Sequence, residues 1–195
     1  MAAPGKCLLV TGPPGVGKTT LIMRVLHKLR TSASNPNPKI QGFYTSEVRR
    51  GGERVGFQVF TLHGRQQGPL ASSATSGAET LIWPAVGRYK VDVASFESLV
   101  LPELQINEDT DLFIIDEVGK MELFSPSFFP AVLKVLESNL PILASIPIPK
   151  HGQDIREVAR LRNHPRATIF TLDTNNRDAV TEEIYVTLAN LLHKR

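Results

Sequence analysis

The chain has 195 residues, 42% of them hydrophobic and 21% charged. That is enough to bury one core and short for two, so a single domain over residues 1–195 is expected. No apolar run approaches the ~20 residues that span a bilayer, and the first apolar stretch is too short for a secretory signal. The net charge of +3 and the pI of about 9.1 suit a phosphate ligand. The basic residues are too few and too dispersed for a nucleic-acid-binding face, their longest clusters being Arg49-Arg50 and Lys194-Arg195. Cys7 is the lone cysteine, which allows no intrachain disulfide and fits a reducing, cytoplasmic setting.

Strand and helix signals alternate along the chain, as in a sheet with crossover helices. Cys7–Thr11 is a short apolar run, the mark of a strand buried on both faces. Residues 19–30 switch to helical spacing, with Leu21, Ile22, Val25, Leu26 and Leu29 on one face. Thr31–Pro38 reads as a turn-rich loop. Residues 40–62 read as a hairpin turning at Gly51-Gly52. Folded there, Arg50 faces Glu53, Val48 faces Val55, Ser46 faces Phe57 and Tyr44 faces Val59.

Residues 63–82 are rich in small and polar types and predict a loop, either a lid or a surface excursion. A strand at 87–93 and a short helix to about Leu101 follow. Leu112–Asp116 is again an apolar strand. Ser125-Pro126 predicts a helix start, a cap followed by proline, with the helix running to about Leu136. Pro141–Ile146 is a strand, Ile155–Arg162 a helix, Ala167–Leu172 a strand and Ala179–His193 a final helix. That helix turns Val180, Ile184, Leu188, Leu191 and Leu192 inward. Aromatic residues Phe43, Tyr44 and Trp83 can stack on a base, although strand aromatics usually belong to the core. The histidines and Cys7 show no zinc-type spacing.

The strongest chemical signal is the run Gly12, Pro13, Pro14, Gly15, Val16, Gly17, Lys18 and Thr19, which fits G-x-x-x-x-G-K-[ST] between a strand and a helix. Glycines let the backbone curl so that successive N–H groups point at phosphate oxygens, and the helix aims its positive end at the same place. Lys18 would bridge the β- and γ-phosphates, and Thr19 would offer its hydroxyl to Mg²⁺. Asp116, closing a later apolar strand, would hold the same ion. Glu117, directly after it, is placed to orient and deprotonate an attacking water. Positive charge on the transition state would come from one of Lys120, Arg54, Arg65, Arg88, Arg162 and Arg177. Ser145, ending the next strand, is a candidate sensor of the γ-phosphate. Asn175–Arg177 either flanks the nucleobase or caps the last helix.

Several stretches together resemble the cancer-related nucleoside-triphosphatases, a P-loop family with relatives in thermophilic microbes. They are Gly12–Thr20, Gly42–Arg49, Arg54–Phe57, Ile115–Ser125 and Ile146–Lys150. The resemblance implies an α/β, RecA-like, mostly parallel sheet flanked by helices, with the acid-bearing strand not next to the loop strand and with a β-hairpin insertion. It implies slow Mg²⁺-dependent hydrolysis of nucleoside triphosphates with broad base tolerance and no dedicated partner, in a protein expected to be monomeric. It also implies a second nucleotide-contacting segment of Leu112, Phe113, Ile114, Ile115, Asp116, Glu117, Val118 and Gly119, with Glu117 as the water activator.

Two rival functions share the phosphate loop. A nucleoside or nucleotide kinase would use Glu47 and Arg49 for its acceptor, but transfer to an acceptor leaves Glu117 without work. A regulatory GTPase would use Asp116-Glu-Val-Gly119 as its switch. Its guanine signature N-K-x-D fails at Asn175-Asn-Arg-Asp178, where Asn176 stands in place of lysine.

Overall fold

The computed structural model describes residues 6–32 and 37–193. The centre of the predicted 31–38 loop and the terminal Lys194-Arg195 pair lie outside those residues. The first strand, β1 (Cys7–Thr11), is buried along its length. Its side chains alternate: Cys7 and Leu9 enter one apolar cluster, Leu8 and Val10 the other. This is what a two-residue repeat dictates when helices cover both faces of a sheet.

Helix α1 (Lys18–Thr31) buries the five residues that helical spacing selects, Leu21, Ile22, Val25, Leu26 and Leu29. The expected hairpin follows as β2 (Ile40–Arg50) and β3 (Glu53–Thr61). Next come β4 (Gln67–Ser72), β5 (Ala85–Val86), β6 (Tyr89–Val91) and α2 (Val93–Glu103). The rest of the chain adds β7 (Leu112–Ile115), α3 (Phe128–Glu137), β8 (Ile142–Ile146), α4 (Arg156–Arg162), β9 (Ala167–Thr171) and α5 (Arg177–His193). The nine strands of the described residues form one sheet in the order β5-β6-β4-β3-β2-β7-β8-β1-β9. Strands β2, β7, β8, β1 and β9 are parallel, and β8 separates the acid-bearing β7 from the loop strand β1, as the RecA-like expectation requires. Helices α1 and α5 pack on one face; α2, α3 and α4 pack on the other.

Three local expectations need correction. The hairpin pairs Arg50 with Glu53 as expected, but a bulge between Val48 and Arg49 shifts the remaining register by one. Glu47, not Ser46, therefore faces Phe57, and Thr45, not Tyr44, faces Val59. An extra residue in one strand moves every later side chain to the next partner. The predicted loop at 63–82 contains β4, which pairs with β3 and β6 and buries Leu70 and Ala71. Its small residues carry little intrinsic strand preference; neighbouring strands on both sides supply it. The hairpin thus grows into an antiparallel wing of β3, β4, β6 and β5. Finally, α3 begins at Phe128, after a short 3₁₀ turn over Glu122–Phe124. Ser125 Oγ accepts the Phe128 N–H at 3.1 Å, so the serine caps the helix from three residues back.

Two contacts fix the hairpin against the rest of the fold. Gly42 lies so close to β7 that a Cβ there would sit 1.8 Å from the Ile114 carbonyl oxygen, and its φ of +113° is one that glycine alone adopts freely. The buried carboxylate of Glu103, at the end of α2, accepts the backbone N–H groups of Gly42 at 3.1 Å, His63 at 3.0 Å and Gly64 at 2.6 Å. One side chain thereby ties α2 to both ends of the hairpin.

Leaving those three donors unmet should be costly. Glu103→Ala is expected to lower stability by about 3 kcal/mol in urea unfolding, and Glu103→Gln by less; a loss within experimental error for Glu103→Ala would contradict this role. Burial pushes the Cys7 thiol up to about 12, against a smaller opposing effect of Arg166. Cys7 should resist iodoacetamide at neutral pH in the native protein and react after unfolding, because the thiolate is the reactive form.

Candidate functional site

The parallel strands end together at one edge of the sheet, and the chemistry gathers there. After Thr11 the chain turns through Gly12–Gly17 and enters α1 at Lys18. Gly12 must be small: a Cβ would lie 2.6 Å from the Leu172 carbonyl oxygen and 3.0 Å from Val16 Cγ1. Val16 is buried in the core beneath α1 and pins the middle of the loop, while Pro13, Pro14 and Gly15 face outward. Lys18 Nζ donates to the Gly12 carbonyl at 3.1 Å, which keeps the ammonium inside the curl.

Strand β7 delivers the acids. Leu112, Phe113, Ile114, Ile115 and Val118 are completely buried, and β7 is paired on both sides with β2 and β8. Their side chains offer no surface to a nucleotide; they hold Asp116 and Glu117 at the sheet edge. Phe43, Phe96 and Phe128 form a triad of edge-on rings, with centroids 5.2–5.9 Å apart. The same Phe43 accepts the Asp116 N–H at 3.1 Å, so Asp116 is hung from the core.

Asp116 is fully buried and held from several directions. The Thr19 hydroxyl donates to Oδ2 at 2.7 Å, bridging 97 residues of sequence. The Ser145 hydroxyl donates to Oδ1. Burial raises the proton affinity of Asp116, while Ser145, Thr19, the Thr45 backbone amide and the Lys18 charge all favour its ionised form. Glu117 is half-buried, with Oε2 4.0 Å from Lys18 Nζ. Burial raises its proton affinity; Lys18 lowers it and Asp116 raises it further. Sequence spacing alone separates Lys18, Thr19, Asp116, Glu117 and Ser145; the crossing of β1, β7 and β8 brings them together.

The other candidates divide. Arg177, the first residue of α5, lies beside the phosphate loop, its Nε 3.7 Å from where a Cβ on Gly17 would sit. With Gly15, Thr20, Arg24 and Thr181 it lines a cleft of about 200 Å³ between α1 and α5. Arg162 is held by Asp154 at 2.9 Å and the Pro147 carbonyl at 2.8 Å. Arg54 and Arg88 belong to the wing, where Arg54 pairs with Glu47 at 2.9 Å and with the Tyr89 hydroxyl at 3.0 Å. Glu47 also takes Arg49 at 2.7 Å, so the two residues a kinase would need for an acceptor satisfy each other. Lys120 and Arg65 are exposed.

Asn176, not Asn175, ties the last strand to α5. It accepts the Asp173 N–H and donates to the Thr171 carbonyl, each at 2.9 Å. Tyr44 stacks on Phe60 at 5.0 Å, and Phe43 is core. Sequence reasoning missed Thr20, Arg24 and Thr181, which face the cleft. It also missed Glu122, whose signal is a carboxyl set among Val118, Met121, Leu123 and Phe124.

No group of three His, Cys, Asp or Glu side chains is arranged for a metal among the described residues, and no described helix is long and apolar enough to cross a membrane. Thr19 and Asp116 are hard oxygen donors in contact. They fit an ion such as Mg²⁺, which takes most of its ligands from phosphate and water.

Comparison with known proteins agrees with this geometry. The human cancer-related nucleoside-triphosphatase is 41% identical over 184 residues, covering 91% of this chain and 93% of that protein. The nucleoside-triphosphatase THEP1 of Thermofilum pendens is 36% identical over 191 residues, covering 96% and 97%. The crystal structure of THEP1 from the hyperthermophile Aquifex aeolicus superposes with a TM-score of 0.76 at 32% identity, over 93% of this chain and 98% of that one. The solution structure of a human cancer-related nucleoside triphosphatase gives 0.75 at 39% identity, over 92% and 95%. Residues 7–185 match the family model described as NTPase, and with relatives of this identity along nearly its whole length the chain belongs to that family.

Proposed function

We propose that the chain hydrolyses nucleoside 5′-triphosphates to the diphosphate and phosphate, with Mg²⁺ as cofactor. The observation that carries this reading is the meeting of Thr19 and Asp116 at 2.7 Å, with Glu117 beside Lys18 at the same edge. The names of the relatives support the same activity.

The backbone N–H groups of the 12–19 loop and the start of α1 would hold the phosphate chain. Lys18 is already confined to the curl and would place its charge on the β- and γ-phosphates. Thr19 and Asp116 would hold Mg²⁺, whose charge offsets that gathering on the phosphate oxygens. Ser145 and the Thr45 amide hold the Asp116 carboxylate in place and offset part of the effect of its burial. Glu117 would accept a proton from the attacking water. Its partial burial strengthens it as a base, and the Lys18 ammonium opposes part of that rise. A kinase gives Glu117 no such task, and Asn176 is turned back into the backbone where a GTPase needs a base-reading lysine.

The cleft beside Arg177 and Arg24 would take the nucleoside. A guanidinium plane stacks on any base face, which would give broad base tolerance. Arg177 also remains the best placed of the arginines to approach the phosphates.

The direct test is phosphate release from ATP, GTP, CTP and UTP with Mg²⁺. Lys18→Ala should lose binding. Glu117→Gln should bind normally and turn over at least about 10²-fold more slowly; an unchanged rate would refute the role given to Glu117. Arg177→Ala should raise KM about tenfold, by similar factors for ATP and GTP. A change confined to one base would show selective rather than general stacking.

A further inference from the structure

Among the described residues, one buried side-chain polar atom has no hydrogen-bond partner: the hydroxyl oxygen of Thr11. Thr11 is the last residue of β1, directly before the phosphate loop, and is 3% exposed. Burying a hydroxyl without a partner costs stability, and a valine of the same outline would avoid that cost. The hydroxyl therefore calls for a partner that the folded chain does not itself supply.

The direction of the side chain narrows what that partner is. Alternation along β1 sends Cys7 and Leu9 into the cluster beneath α2, α3 and α4, and Leu8 and Val10 into the cluster beneath α1 and α5. Thr11 continues the first series and so faces away from α1. In the parallel register it lies beside Ile146, the last residue of β8. The chain after Glu117 crosses the end of that same strand, where the Val118 N–H donates to the Ser145 carbonyl at 3.0 Å. Val118 then enters the same apolar cluster as Cys7 and Leu9. Thr11 and the Glu117–Val118 segment thus flank the end of β8 on one face of the sheet. The backbone next to Thr11 is already committed. Pro13 and Pro147 have no N–H, the Gly12 carbonyl takes Lys18 at 3.1 Å, and the Pro147 carbonyl takes Arg162 at 2.8 Å.

We infer that the Thr11 hydroxyl donates to an oxygen that arrives with the triphosphate, at its γ end. The start of α1 holds the inner phosphates on the face that Thr11 turns away from. The terminal group, reaching across the sheet edge toward Glu117, is the part that comes to the Thr11 side. The accepting oxygen belongs either to the γ-phosphoryl group or to the water beside Glu117, and a hydroxyl can donate to both. A diphosphate brings neither, so the contact favours substrate over product. The unmet hydroxyl of the free chain follows from this: stability is given up at a point where a ligand is met. The inference rests on the reading that residues 12–19 bind a triphosphate whose terminal end lies by Glu117.

The test uses the full chain with Thr11→Val, which keeps the outline, and Thr11→Ser, which keeps the hydroxyl. Each is measured for urea unfolding without nucleotide, for affinity toward the Mg²⁺ complexes of a non-hydrolysable ATP analogue and of ADP, and for Mg-ATP turnover. Free Thr11→Val should unfold at the native urea concentration or a higher one. Its affinity for the triphosphate should nevertheless fall about tenfold, with ADP affinity within about twofold, if the γ-phosphoryl oxygen is the partner. If the water is the partner, kcat should fall about tenfold instead and both affinities should hold. Thr11→Ser should recover most of whichever loss is seen. A free Thr11→Val protein clearly less stable than the native chain would overturn the inference, because a buried water would then serve the hydroxyl without nucleotide. Equal losses for the ATP analogue and ADP, a Thr11→Ser protein as impaired as Thr11→Val, or no change with any nucleotide would overturn it as well. A native chain that binds no triphosphate, or a Lys18→Ala protein that binds it as the native chain does, would strike the phosphate-loop reading itself, and the two failures are told apart in the same titrations.

Discussion

The hydrogen bond from Thr19 to Asp116 is the constraint on which the rest of the site depends. It joins the first turn of α1 to the end of β7 across a strand that belongs to neither. Strand β8 lies between β1 and β7 and contributes Ser145 to the same carboxylate. The burial of Asp116 makes the requirement strict. A carboxylate out of water survives only where donors surround it, and here Thr19, Ser145 and the Thr45 amide do so. The core beneath serves the same end. Phe43 packs in the aromatic triad and holds the Asp116 backbone, while Gly42 lets β2 approach β7 closely enough for that contact.

Much of this was legible in the sequence, and the reasons differ by element. Cys7–Thr11 and Leu112–Asp116 are short apolar runs, and only a doubly covered strand makes such runs stable. The α1 stripe from Leu21 to Leu29 follows helical spacing without exception. The phosphate loop is legible because its glycines, lysine and threonine each answer a separate chemical need. The family resemblance added that the acid-bearing strand is not next to the loop strand, which no local pattern contains.

What stayed hidden depends on partners distant in sequence. Strand β4 is built from Gln67, Gly68, Pro69, Leu70, Ala71 and Ser72, a composition that suggests a loop, and it is a strand because β3 and β6 flank it. The bulge opposite Val48 and Arg49 adds one residue, Val55, to an alternating pattern that otherwise predicts regular pairing. Glu103 and Glu122 look like surface acids in the sequence. Each is buried by the fold, and the first gathers backbone N–H groups. The cleft of Arg24, Arg177 and Thr181 needs α1 and α5 side by side, which exposed ion pairs such as Arg24–Asp178 accompany but do not cause.

The central claim is that Thr19 and Asp116 form one metal-dependent triphosphate site. It is tested most directly by titrating a fluorescent triphosphate analogue against the native chain and Asp116→Asn, each with Mg²⁺ and with a chelator. Mg²⁺ should tighten binding to the native chain by about tenfold or more and leave the variant's affinity nearly unchanged, since the amide lacks the charge that holds the ion. An equal Mg²⁺ enhancement in both proteins would contradict it.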